Sequence, residues 1–251
     1  MNRPAPLEMQ CAPLPRFDLE DWPTIHRLFE PLPAWKFQQA WLPMPQPELR
    51  PGVFKAGAWS DALVVHAELP DRDIFNPITE FNEVAYTKGD TFEMFLRPEG
   101  QKAYFEFHVT PGNQKLQLRF GSAEAFGALP RHTGDQVLVP CKVHQPLFDS
   151  RTQVLVEQQK WHVVAAIPFA SVVEGREGAG RDRWRFSASR YDYTRGRPNP
   201  VLSSTSPHSV CSFHRQEDWG TLLLSSPMLL ARSATPMSGP VARSVSRPLS
   251  P

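Results

Sequence analysis

Thr91-Phe-Glu-Met-Phe-Leu-Arg97, Tyr104-Phe-Glu-Phe-His-Val109 and Lys115-Leu-Gln-Leu-Arg-Phe120 are three short runs in which apolar and polar side chains alternate. A strand points successive side chains to opposite faces, so this period of two marks a half-buried strand. The spacers Pro98-Glu-Gly-Gln101 and Thr110-Pro-Gly-Asn113 carry turn residues. The stretch therefore reads as an antiparallel meander with strands over 91–97, 102–109 and 115–120. Pairing about the first turn sets Phe92 opposite Phe107 and Met94 opposite Phe105, with Leu96 and Val109 on the same, core side. Past the second turn, the register that gathers apolar residues sets Val109 opposite Leu116, Phe107 opposite Leu118 and Phe105 opposite Phe120. A slip of one residue would turn Gln117 and Arg119 inward instead.

The reverse face of that meander carries Glu93, Tyr104, Glu106, His108 and Arg119. In this register Glu93 lies directly opposite Glu106, and Glu106 opposite Arg119. Like charges on facing positions cost about 0.2–1 kcal/mol unless a cation or donor sits between them. A positive group or a hydroxyl-rich ligand is expected there. The structural candidates are Arg119, with Arg185 or Arg190 from the run at 183–191.

Working outward, further strands are expected at 53–58, 62–69, 152–158, 161–168, 183–191 and 219–224. Many strands of even size, turns between them and no βα alternation predict an all-β fold, an antiparallel β-sandwich of jelly-roll type. One domain is expected over 17–224, preceded by a flexible N-terminus over 1–16 and followed by a disordered tail over 225–251. An aromatic-rich stretch with Trp22, Trp35, Phe37 and Trp41 leaves room for one short helix between its prolines.

Composition narrows the function classes. In 251 residues, 27 Lys and Arg stand against 26 Asp and Glu, a net charge of +1, so no global field draws nucleic acid or an anionic membrane surface. The 27 prolines against 14 glycines suit strands and loops better than long helices. Cys11, Cys141 and Cys211 are too far apart for a disulfide framework or a CxxC metal knuckle. No run approaches the roughly 20 apolar residues that cross a bilayer, and residues 1–15 lack the apolar centre of a secretion signal. The expectation is a soluble chain, cytoplasmic by default, or secreted or periplasmic if translation starts upstream.

Several segments in order resemble the family 9 carbohydrate-binding modules and their wider DOMON-like relatives. They are Asp90-Thr-Phe-Glu-Met-Phe-Leu-Arg-Pro-Glu99, Tyr104-Phe-Glu-Phe-His-Val109, Trp161-His-Val-Val-Ala-Ala-Ile-Pro-Phe169, Trp184-Arg-Phe-Ser-Ala-Ser-Arg190, Leu202-Ser-Ser-Thr-Ser-Pro207 and Phe213-His-Arg-Gln-Glu-Asp-Trp-Gly-Thr-Leu222. The resemblance implies a β-sandwich that recognises a sugar without cleaving it, an aromatic pair clamping the ring and polar side chains meeting its hydroxyls. The acidic position falls on Glu93, the polar positions of the next strand on Tyr104, Glu106 and His108, and one clamp aromatic on Tyr86, a residue out of register. Ser203 and Ser204 stand where the second clamp aromatic belongs; Trp59, Tyr191 and Tyr193 are the side chains that could replace it in space.

Opposed strand residues have Cβ atoms about 4.5–5.5 Å apart, close to the roughly 5–5.5 Å between the carboxyls of retaining glycosidases. Carboxylates projecting the same way from one face do not flank a bond, however, so a binding module is expected over an enzyme. Asp71 and Asp73, with Asn76, form a loop that could hold calcium, as the resemblance suggests, or simply Asx turns. The eight histidines, at 26, 66, 108, 132, 144, 162, 208 and 214, show no HxH or HExxH spacing. Two alternatives stay open: a structural or protein-interaction sandwich whose face is closed by arginines, and a haem-binding DOMON-like domain using His108 or His162 with a Met.

Overall fold

Period-two stretches become strands almost where the pattern puts them. The computed structural model describes residues 7–130, 134–173 and 182–224. In chain order its strands are β1 (Glu8–Pro13), β2 (Trp35–Lys36), β3 (Val53–Ala58), β4 (Ala62–Pro70), β5 (Thr91–Pro98), β6 (Tyr104–Val109), β7 (Lys115–Phe120), β8 (Asp149–Leu155), β9 (Lys160–Pro168), β10 (Arg183–Asp192), β11 (Val201–Ser204) and β12 (Gly220–Leu224). Three short helices join them: α1 (Trp22–Phe29), α2 (Ala123–Gly127) and α3 (Phe169–Val172). Among the described residues no helix is long and apolar enough to cross a membrane.

The strands hydrogen-bond in the order β7-β6-β5-β10-β12-β1-β3-β4-β9-β8, with β11 added on β10 and β2 on β3. The sheet curls so that its two halves face each other. Phe92, Met94, Phe107 and Phe186 from one half meet Phe54, Val65, Trp161 and Val163 from the other in one buried cluster. Each such side chain contributes about 1.5–3 kcal/mol on burial. The expected all-β sandwich is thus present.

The N-terminal segment departs from expectation. Glu8–Pro13 is not a free end but a strand, parallel to both β12 and β3. Met9 and Cys11 point into the core while Glu8 and Gln10 face out, an alternation that the surrounding prolines obscure in the sequence. These two parallel pairings also make an otherwise antiparallel sheet mixed. The tail expected from Ser225 lies outside the described residues.

The outer face of β4 and β9 is covered by α1. Asp21 caps the helix, its carboxylate accepting from Thr24 N at 3.1 Å, and Pro23 suits the first turn, where an N–H has no helical partner. Ile25 and Phe29 then pack on Val64, Val164 and Ala166.

The meander forms with a different register. Phe92 pairs with Val109 and Met94 with Phe107, a shift of two that keeps the core face intact but sets Glu93 opposite His108 and Phe95 opposite Glu106. Between β6 and β7 the shift is odd: Phe107 faces Gln117, Glu106 faces Leu118 and Phe105 faces Arg119. Thr110 N bonds Gln114 O at 3.0 Å and closes a three-residue loop, with Asn113 at φ 60°, the left-handed position such a hairpin requires. Gln117 is accepted on the inner face because its amide is fully used. Its Nε2 donates to Val143 O and Gln145 O, both at 3.0 Å, and its Oε1 accepts from Leu147 N at 2.6 Å. Leu116, Leu118 and Phe120 correspondingly turn outward, under a second apolar cluster with Phe95, Phe213 and Trp219.

Candidate functional site

The outer face of β5, β6 and β10 is roofed by the segments that follow β7 and precede β12. The space between is a cavity of about 670 Å³, within the roughly 300–1,000 Å³ of small-molecule sites. Glu93 of β5 and Glu106 of β6 reach it from the floor, and Tyr86, Phe126, Tyr191 and Phe213 line it with aromatic rings. Tyr86 and Tyr191 are adjacent, centroids 5.3 Å apart, and Phe213 stands edge-on to Tyr191 at 5.8 Å.

The two glutamates are linked by His108, which is fully buried between them. Its Nε2 lies 2.5 Å from Glu106 Oε1 and 3.5 Å from Glu93 Oε1. The group between the acids is thus the imidazole of His108 and not an arginine. Arg119 sits on the opposite face of β7 from Glu106, the consequence of the odd register. Arg185 donates to Gln216 O, and Arg190 points to the core side, donating to Pro70 O and pairing with Asp71 and Asp192.

His214, which no local pattern singles out, completes the cluster. Its Nε2 is 3.5 Å from Glu106 Oε2, its Nδ1 is 2.9 Å from Tyr104 Oη, and its ring stacks on Phe126. The arrangement that serves both neighbours has the Tyr104 hydroxyl donating to Nδ1 and Nε2–H facing the carboxylate. Glu106 Oε2 accepts no hydrogen bond from the described residues.

Charge is divided unevenly. Burial pushes the Glu93 carboxyl up to about 8, the attraction of His108 only partly offsetting it and Glu106 adding to it. Burial also opposes ionisation of Glu106, yet His214 and His108 together hold it below the usual carboxylate range. Burial disfavours the charged form of His108, but Glu93 and Glu106 outweigh it and raise its pKa. For His214 burial dominates and lowers it. At neutral pH the floor thus presents a protonated Glu93 able to donate, an ionised Glu106 able to accept, and no large net charge.

Other expected residues fall elsewhere. Ser203 and Ser204 are buried, and Ser204 donates to Ala188 O while contacting Ser187 and Ser189; this stretch fixes β11 on β10. Trp59 packs in the cluster under α1, on the other half of the sheet. Tyr193 donates its hydroxyl to Tyr86 O at 2.9 Å and so braces the ring beside it. Of the three proposed replacements, Tyr191 is the one in the cavity wall. In the 71–76 loop, Asp71 accepts from Asp73 N at 2.9 Å, an Asx turn, and pairs with Arg190, while Asp73 pairs with Arg195. Asn76 donates to Ala85 O and Asp90 O. Asn76 Oδ1 accepts from Ile78 N at 3.1 Å, while Asp71 is grouped not with Asp73 and Asn76 but with Asp90 and Asp192, one carboxylate oxygen of each lying within 4.8 Å of the others. Met94 lies on the core face, opposite to His108, so these two cannot form an axial pair.

These elements define a sandwich with a polar-floored, aromatic-walled cavity on one sheet, and solved structures of other proteins share its fold. A "putative carbohydrate-binding protein" of Bacteroides uniformis superimposes with a TM-score of 0.66 at 14% identity, over 88% of this chain and 100% of that one. Family 9 carbohydrate-binding modules of Caldicellulosiruptor kristjanssonii match over 87% and 94% of this chain and 95% and 100% of theirs. One is a complex with glucose (TM-score 0.56, 15% identity) and the other with cellotriose (0.55, 14%). The chain has the fold of family 9 carbohydrate-binding modules. No protein-family model matches the sequence, and no curated protein matches it either.

Proposed function

We propose that the chain is a non-catalytic carbohydrate-binding protein whose cavity receives a small neutral saccharide. The observation that carries this reading is the pairing of a donor carboxyl, Glu93, with an acceptor carboxylate, Glu106, beneath aromatic walls. Vicinal hydroxyls need a donor and an acceptor side by side, and the axial C–H face of a sugar packs on aromatic rings. Glu106 Oε2 accepts no hydrogen bond from the described residues, its ion-pair neighbour His214 Nε2 standing off at 3.5 Å, and so retains acceptor capacity for a ligand. Hydrolysis is disfavoured by the same geometry, because both carboxylates converge on His108 and do not flank a gap where a glycosidic bond would lie. Fold likeness to modules described in complex with glucose and cellotriose supports the ligand class.

Calorimetric titration with glucose, cellotriose and other mono- and oligosaccharides tests the proposal. Binding of at least one saccharide at millimolar concentration or below is expected. Glu106→Gln, which loses a charged acceptor worth about 1.5–3 kcal/mol, should weaken it by about 10–100-fold. If no saccharide binds, the cavity is closed by its own histidines and the structural reading of the face holds.

A further inference from the structure

On the other half of the sheet, away from the cavity, three histidines from three elements meet. His66 lies on β4, His162 on β9 and His26 on α1. One nitrogen from each lies within 4.8 Å of the other two. His162 Nδ1 and His66 Nε2 are 3.2 Å apart. Tetrahedral zinc with Zn–N bonds of about 2.0–2.1 Å holds its nitrogens about 3.3 Å apart. The His26 ring stands edge-on to His162 at 4.8 Å and to His66 at 5.5 Å.

We propose that His26, His66 and His162 form a three-nitrogen site for a divalent transition metal ion of the zinc class, which pins α1 to the back of the sheet. A second observation points the same way. The outward nitrogen of His162, Nε2, faces Glu68 Oε2 at 3.7 Å. A carboxylate behind a ligating imidazole is the usual means of fixing its tautomer and orientation. The cations nearby are already answered: Lys160 pairs with Glu68 at 2.9 Å, and Lys55 donates to the carbonyls of Phe29 and Glu30 at the end of α1. His66 and His162 are both buried, and neutral imidazole is the form that ligates. His26 is half-buried and gives an ion access from solvent. Trp22 lies 5.9 Å from His26 and 6.2 Å from His162 and shields the cluster.

The test is titration of the chelator-treated full-length chain with ZnCl₂ by calorimetry, followed by thermal melting. One zinc per chain is expected, with Tm raised by at least about 5 °C at a hundredfold excess over Kd. His26→Ala should weaken binding by at least about 100-fold and abolish the rise, while Glu68→Gln should weaken it about 10–100-fold. His26 is partly exposed, so the metal-free Tm of that variant reports its folding. Cobalt provides a check on the wild-type chain that needs no variant: visible bands of nitrogen-and-oxygen coordination support the site, and strong near-ultraviolet thiolate absorption assigns the metal to a cysteine and overturns it. Absence of binding at 1 mM ZnCl₂ (a concentration of order 10³ times a micromolar Kd), or binding unchanged by His26→Ala, also overturns it.

Discussion

His214 lies flat on Phe126, ring centroids 3.5 Å apart, and this stack aims its Nε2 at Glu106. Phe126 belongs to a five-residue helix and is half-buried, so Phe126→Ala should leave the sandwich folded. Removing the ring opens His214 to water, and its pKa, held down by burial, should rise toward the ordinary value of about 6.5. An NMR titration of the imidazole measures this, and saccharide affinity should fall by about 3–10-fold as the wall and the oriented histidine are lost.

His108 carries the opposite burden. Its imidazole lies between two buried carboxyls that raise its pKa, and removing one partner of a buried ionic group costs about 3–5 kcal/mol. His108→Gln should destabilise the fold by that order in urea unfolding. Adding Glu106→Gln to it should recover part of the loss, because no buried charge is then left unpaired.

Stability should fall as pH rises from about 6.5 to 8. Glu93 has a folded pKa near 8, above its unfolded value, so the folded state binds more protons across this window and each such group lowers stability by up to about 1.4 kcal/mol per pH unit. Asp90, also pushed to about 8 by burial and by Asp71, acts in the same sense. Glu93→Gln fixes the neutral form and should flatten the decline measured by Tm against pH. Below 6.5 the sign is opposed by His66 and His162, whose lowered values remove stability as they become protonated.

Gln117 reports on the register of β7. Its side chain satisfies three backbone groups of the 143–147 segment. Gln117→Leu should therefore cost about 1–3 kcal/mol for each group left buried and unpaired, where an outward-facing Gln would tolerate the change. Chemical denaturation of the variant decides between the two registers.

Period-two alternation made most strands legible, because one face of each is apolar whatever its neighbours are. The register of β7 was not legible. Leu116, Leu118 and Phe120 look like core, and they are buried, but against Phe213 and Trp219 on the far side of the sheet. Only the carbonyls and amide supplied by Val143, Gln145 and Leu147 let Gln117 face inward, and no local pattern encodes them. The acids Glu93 and Glu106 are legible from their shared face, and their charge calls for a positive group or a hydroxyl-rich ligand between them. That the group between them is His108 follows from the two-residue shift at the Pro98–Gln101 turn. His214 comes from a segment 110 residues beyond Tyr104, so nothing near it in the chain announces its role. The His26–His66–His162 cluster was hidden for the same reason: its spacing in sequence matches no metal motif, and only the packing of α1 on β4 and β9 creates it.

The parallel strand β1 has a consequence for how the molecule is made. Gln10 donates to Leu223 O, 213 residues away, so the ladder between β1 and β12 must wait for β12, whereas β1 and β3 lie close in sequence and can pair before it. Contacts of such long range slow folding. The seam between the two halves closes only when β12 docks on β1, and until then the margin of β1 is open to mispairing with another chain.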